Sequence, residues 1–202
     1  MTKERALSRR TMLVAGAAAM GLGVGVAAWR YQTTDVADAA VQAFWAETFV
    51  RLDGQSLPMS SYKGKPLLVN FWATWCPPCV EEMPLIDAFF QQNRPNVQVL
   101  GLAVDRADAV GSFLGNWPVA FDIALAGMAG TTLSKTLGNP SGGLPFSVFI
   151  DKDERIVLQK VGKLEDSDFG DGWEFSDFTE NKFTKPNSKH YNKRYLTLGE
   201  GN

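Results

Sequence analysis

The two cysteines of this 202-residue chain are separated by two prolines in Cys76-Pro77-Pro78-Cys79, directly after the apolar run Leu67-Leu68-Val69-Asn70-Phe71-Trp72. The run lacks polar alternation and suits a central strand covered on both faces. The cysteines fall where the following helix should begin. There the first sulfur lies among unpaired backbone N–H groups that stabilise a thiolate, and the second, one turn further on, can resolve a mixed disulfide. A structural zinc site needs about four Cys or His ligands. This chain offers two Cys and the single His190, far downstream in a polar segment. The spacing favours redox chemistry over metal carriage or two unconnected core cysteines, and no metal site is expected.

The N-terminus implies export. Lys3, Arg5, Arg9 and Arg10 precede the uncharged, Ala- and Gly-rich stretch Met12 to Trp29, the pattern of a segment that enters the translocation machinery or the bilayer with its charged flank left behind. Ser8-Arg9-Arg10-Thr11-Met12-Leu13 resembles a twin-arginine signal in part, so that route and the general secretory route stay open. Ala37-Asp38-Ala39 offers a small-x-small cleavage site. It lies well beyond the apolar stretch, which is long enough to span a bilayer, and retention as a membrane anchor is favoured. The expected location is periplasmic or extracytoplasmic, with the N-terminal stretch as an anchor in the inner membrane. The net charge of −2 argues against nucleic acid as a partner. Outside the membrane a lone dithiol rests as a disulfide unless something reduces it.

Four regions are expected: a signal or anchor over 1–30, a linker over 31–47, one folded domain over 48–164 and a polar tail over 165–202. Thr48 to Leu57 reads as a short hairpin around Asp53-Gly54. After the cysteines, Val80, Met83, Ile86 and Phe90 recur at helical spacing, with Pro84 a candidate kink. Val97 to Val104 reads as a second buried strand and Ala107 to Asn116 as a second helix, which implies a parallel strand pair with a right-handed crossover. Phe121 to Leu125 and Gly127 to Leu137 suggest another strand and helix. Phe146 to Ile150 and Arg155 to Val161 flank a polar turn and form a closing hairpin. The fold class is α/β, with a mixed central sheet flanked by helices in three layers.

With these parts in place the chain resembles the thioredoxin superfamily, closest to exported or membrane-anchored thiol-disulfide proteins of the TlpA and ResA type. The match covers about Phe49 to Leu164. It is carried by Pro66 to Cys79, by Glu81-Glu82-Met83-Pro84 and by Gly142-Gly143-Leu144-Pro145-Phe146. The resemblance implies that Cys76 is the nucleophile and Cys79 the resolving thiol, in agreement with their placement at the helix start. It implies that Trp75, Pro77, Pro78, Leu144 and Pro145 receive an extended substrate, with Pro145 cis and the Leu144 backbone open to strand pairing. Leu144 departs from the threonine common in thioredoxins. Asn70 replaces the buried aspartate that thioredoxins carry six residues before the first cysteine, and it cannot titrate. Glu82, three residues beyond Cys79 and therefore on its helical face, is the candidate acid–base group, whereas Glu81 points away. The tail departs furthest. Gly170 and Gly172 interrupt it, no helical period is sustained, and it reads as a loose extension unless Phe169, Trp173, Phe175 and Phe178 dock on the sheet.

The resemblance implies an exported thiol-disulfide oxidoreductase that reduces extracytoplasmic proteins, such as haem-attachment or copper-site cysteines, and draws electrons from a membrane thiol reductant. No cofactor beyond the Cys76/Cys79 pair is expected. A copper-binding chaperone using the same thiolates is the alternative, although a third ligand is hard to find. A thiol peroxidase is weaker, because no peroxidatic motif accompanies the pair.

Overall fold

The computed structural model describes residues 38–169. A seven-stranded sheet runs in the order β2-β1-β5-β4-β3-β6-β7. Its strands are β1 (Thr48–Arg51), β2 (Ser56–Pro58), β3 (Leu67–Trp72), β4 (Gln98–Ala103), β5 (Asp122–Leu125), β6 (Phe146–Ile150) and β7 (Ile156–Val161). The helices are α1 (residues 38–46), α2 (Pro77–Asn93), α3 (Ala107–Asn116) and α4 (Gly127–Thr136). β3, β4 and β5 are mutually parallel, while β6 lies antiparallel to β3 and β1 antiparallel to β5. The sheet is mixed, as expected, because the parallel strands are joined through α2 and α3 and the outer strands through short hairpins.

Every residue of β3 is buried, and its alternation sorts the core into two layers. Leu67, Val69 and Phe71 face a cluster that includes Phe44, Leu133 and Leu137, whereas Leu68 and Trp72 face one that includes Cys79, Met83, Ile86 and Val110. The first layer is covered by α1 and α4, the second by α2 and α3. Gly101 on β4 permits close packing within the second layer, since a Cβ there would meet Ile123 Cδ1 at 2.5 Å and Trp72 Nε1 at 3.1 Å. The buried face of α2 is Cys79, Glu82, Met83, Ile86 and Phe89. It is turned slightly from the expected face, so that Val80 and Phe90 are only half-buried. The helix runs through Pro84, whose ring is exposed.

Two expected boundaries are corrected. Within the supposed linker, residues 38–46 are helical and bury Ala40, Val41, Phe44 and Trp45, the adjacent-pair spacing of a helix lying on a sheet. The compact unit begins at Ala40 rather than Thr48. Alanines and polar residues around a narrow apolar stripe hid this element. At the other end, the tail does not loosen at Glu165. A 3-10 turn over Asp166–Asp168 is closed by a capping box, and Phe169 is buried with its ring centroid 4.5 Å from that of Phe89. The apolar stretch Met12 to Trp29, Trp173, Phe175, Phe178 and His190 lie outside the described residues. Among those described, no helix is long and apolar enough to cross a membrane.

The position of Phe44 gives a direct check of the new N-terminal boundary. Phe44→Ala should cost about 3–5 kcal/mol in urea unfolding, while Ala46→Ser on the exposed side should stay within about 0.5 kcal/mol. Equal unfolding midpoints for Phe44→Ala and the parent would return the segment to a linker.

Candidate active site

β3 ends at Trp72, and the chain turns through Ala73 and Thr74 before α2. Asp105, just beyond β4, fixes this turn: its Oδ2 accepts from the Thr74 N–H at 2.8 Å and from Thr74 Oγ1 at 2.6 Å, and its Oδ1 accepts from the Arg106 N–H at 2.7 Å. Partial burial pushes the Asp105 carboxyl up, but the bonds from Thr74 and Arg106 outweigh it and hold the group below its ordinary value. The sequence signal for Asp105 is an acidic residue just past the carboxyl end of the neighbouring parallel strand, outside the cysteine motif itself.

Cys76 is the N-cap of α2 and is paired with Cys79 in a disulfide with a Cα–Cα distance of 5.3 Å. Cys76 is 5% exposed and Cys79 not at all, so an incoming thiolate or disulfide reaches the first sulfur only. The helix start differs from the sequence expectation. Pro77 and Pro78 occupy its first two positions and carry no N–H, and the amides of Cys79 and Val80 both donate to the Cys76 carbonyl, at 3.0 and 3.2 Å. The expected cluster of unpaired donors is therefore not formed around the Cys76 sulfur. What remains there is the more diffuse field of the helix dipole.

The surface around the sulfurs is apolar. Trp75 is 66% exposed, Pro77 is exposed and Pro78 half-buried. The Leu144–Pro145 peptide is cis, and Leu144 packs against the cluster that contains both cysteines. Phe146 pairs with Phe71, so the next step in register sets Pro145 level with Trp72, at the sheet end from which the cysteine loop departs. The Pro145 carbonyl accepts from the Gly162 N–H at 2.8 Å. A second cis bond, Arg94–Pro95, follows α2.

Beneath the disulfide lies Glu82, wholly buried one turn along α2. Its Oε1 accepts from Asn70 Nδ2 at 2.7 Å, and its Oε2 accepts from the Leu164 N–H at 2.6 Å. Asn70 Nδ2 also donates to Ser147 Oγ at 2.9 Å, while Asn70 Oδ1 is buried without a partner. Burial pushes the Glu82 carboxyl up to about 7; the bonds from Leu164 and Asn70 and the charge of Lys163 act against it, and Asp168 adds to it. Glu81, by contrast, is exposed and binds Lys163 Nζ at 2.7 Å. The Ser147 and Leu164 contacts arise from β6 and from the chain after β7, and no local spacing in the sequence announces them. Among the described residues, no cluster of three Cys, His, Asp or Glu side chains surrounds the sulfurs or any other point in metal-binding geometry.

Comparison with known proteins agrees with this arrangement. The chain is 34% identical over 114 residues to the thiol-disulfide oxidoreductase ResA of Bacillus thuringiensis (strain Al Hakam), covering 55% of this chain and 64% of the relative. It is 29% identical over 113 residues to the thioredoxin-like protein YneN of Bacillus subtilis (strain 168), covering 50% and 65%. The match thus spans a little under two thirds of the length of these curated relatives. Among solved structures, a thiol:disulfide interchange protein of the thioredoxin family from Chlorobium tepidum TLS superposes with a TM-score of 0.54 at 26% identity, over 61% of this chain and 87% of that one. The Redoxin family model matches residues 35–172, a span that takes in the whole described sheet, the paired cysteines and the buried carboxyl, and the chain belongs to that family.

Proposed function

We propose that this protein is a thiol-disulfide oxidoreductase that reduces disulfides in proteins outside the cytoplasmic membrane. The observation that carries the reading is the Cys76–Cys79 disulfide at the start of α2, with a buried carboxylate one turn below the inner sulfur. In the reduced protein the Cys76 thiolate attacks one sulfur of a substrate disulfide. The substrate S–S bond breaks, its other sulfur leaves as a thiolate, and a mixed disulfide forms. Glu82 accepts the Cys79 proton, the Cys79 sulfur attacks Cys76 Sγ, and the second substrate sulfur departs. Two electrons pass to the substrate and the Cys76–Cys79 bond is restored.

The helix start supports the reducing direction. A thiolate held by few hydrogen-bond donors is less stabilised, which favours the disulfide form and gives a lower potential. The exposed Trp75 supports an apolar platform beside the disulfide, and the Leu144 backbone before cis Pro145 would be the edge on which an extended peptide pairs. The sequence supports export and retention near the membrane through Met12 to Trp29, with a membrane thiol donor returning the two electrons. Haem-attachment cysteines of cytochrome precursors and copper-site cysteines are the substrates that the family resemblance suggests.

Trapping in cells tests the sulfur roles. Cys79→Ser should accumulate mixed disulfides through Cys76, whereas Cys76→Ser should trap almost none. Equal trapping by the two variants would sink the assignment.

The buried carboxyl yields a kinetic expectation. As pH falls below about 7, Glu82 becomes protonated and the resolving step should slow. Glu82→Gln should lose that inflection and run about 100-fold slower at neutral pH. A parent-like pH–rate profile would remove Glu82 from the mechanism.

The same group carries a stability signature. The folded carboxyl titrates above its unfolded value, so its favourable contribution is complete below about pH 4.5 and is lost as pH rises through about 7. Over that window the parent should lose about 3 kcal/mol relative to Glu82→Gln. Guanidinium unfolding at a series of pH values measures this, and parallel curves for the two proteins would contradict the burial of the charge.

A further inference from the structure

The chain after β7 is tied to the site at four points. Gly162, with φ of +95°, turns the chain and donates its N–H to the Pro145 carbonyl at 2.8 Å. Lys163 binds Glu81, the neighbour of Glu82 on α2. The Leu164 N–H donates to Glu82 Oε2 at 2.6 Å, and the Leu164 side chain is wholly buried. Phe169 packs its ring in a tilted contact on Phe89, two helical turns beyond Glu82 on the same face of α2. Between these anchors the Asp166–Asp168 turn is held by its capping box, with the Glu165 N–H donating to Asp168 Oδ2 at 2.9 Å. Leu164 and Phe169 belong to the same buried cluster as Cys79 and Met83.

We propose that Lys163–Phe169 is the positioning segment of the acid–base site: its Leu164 amide clamps one oxygen of Glu82 while Phe169, seated against Phe89, anchors the segment on α2, so that docking of this segment governs transfer of the Cys79 proton. The inference rests on the reading of Glu82 as the group that accepts that proton. A carboxylate cannot be left unsolvated in an apolar layer, and each oxygen here has one donor in place of water. One donor, Asn70, comes from the rigid centre of the sheet. The other comes from a peripheral turn, so its bond exists only while the turn stays on α2. The charges that face the carboxyl come from the same segment and its surroundings: Lys163, which lowers its proton affinity, and Asp168, which raises it. Glu81 from α2 and Lys160 from β7 are engaged with those two residues. Opening of the segment would admit water to Glu82, return it toward an ordinary glutamate and remove a base tuned to neutral pH.

The test is a carbon-13 NMR titration of the Glu82 side-chain carboxyl in the oxidised full chain, read together with the backbone amide of Leu164. In the parent, the Leu164 amide proton should titrate with the same midpoint as the Glu82 carbon. That measurement needs no core substitution, and a Leu164 amide indifferent to the titration would overturn the clamp. Phe169→Ala, which removes the anchor on Phe89 and loosens the segment, should move the carboxyl midpoint down by about one unit, and Phe169→Leu, which keeps an apolar anchor there, should restore most of the shift. An unchanged midpoint in a folded Phe169→Ala protein would also overturn the proposal. The pH–rate profile of the resolving step separates the two claims: a carboxyl midpoint that moves without the rate profile following it would uphold the clamp and dismiss Glu82 as the base.

Discussion

The pairing of β3 with parallel β4 on one side and antiparallel β6 on the other is the constraint from which the site follows. Because β4 runs with β3, the carboxyl ends of both strands lie together, and Asp105 can reach across to tie down Thr74. Because β6 runs against β3, its beginning meets the end of β3, which brings cis Pro145 to the level where the cysteine loop leaves the sheet. Strand order alone thus gathers the cysteine loop, its Asp105 anchor and the cis Leu144–Pro145 bond from segments separated by some seventy residues of sequence. The fully buried faces of β3 fix its register, since a one-residue slip would turn Asn70 away from Glu82 and Ser147 and into the apolar cluster of Phe44, Leu133 and Leu137 on the opposite face.

The layer on the α2 side is unusual in holding a polar chain within an apolar cluster. Ser147, Asn70, Glu82 and the Leu164 amide are linked in sequence by hydrogen bonds, each from a different element: β6, β3, α2 and the chain after β7. The arrangement is costly in stability, because a buried acceptor on Asn70 is unpartnered and such a group typically costs about 1–3 kcal/mol. The physical return is a carboxyl that exchanges its proton near neutrality and lies one turn from the inner sulfur. An aspartate at position 70 would itself titrate. Asn70 instead holds Glu82 without competing for its proton, so the ionisable group sits on the helix that also carries the cysteines.

Much of this was legible in the sequence, where the physics is local. The unbroken apolar run of β3, the strand–helix–strand order and the cysteine spacing each report on residues adjacent in the chain, and the placement of Glu82 over Glu81 follows from helical geometry alone. What escaped the reading depends on contacts made at a distance. Residues 38–46 form a helix because the sheet offers a face for Phe44 and Trp45, and that face is assembled from strands far downstream. Phe169 is ordered because Phe89 lies beneath it. The field at Cys76 departs from that of an ordinary helix start for a local reason, since Pro77 and Pro78 lack the N–H groups that such a start presents.

The two missing N–H groups bear on the potential of a dithiol in this fold. Thiol-disulfide proteins that share a sheet and a dithiol differ in potential chiefly through the stability of the exposed thiolate, over a range of roughly 150 mV. Prolines at both first helical positions remove two donors outright, and the tight first turn turns the next two amides onto the Cys76 carbonyl. Cys76 therefore gains little from its helix beyond the dipole, while Cys79 has a buried carboxyl one turn further along α2. Weak stabilisation of an outer thiolate lowers the potential of a dithiol, and a carboxylate acting as proposed for Glu82 would speed deprotonation of the inner thiol. On the proposed function both effects push in one direction, toward a dithiol that gives up its electrons readily and a mixed disulfide that resolves quickly.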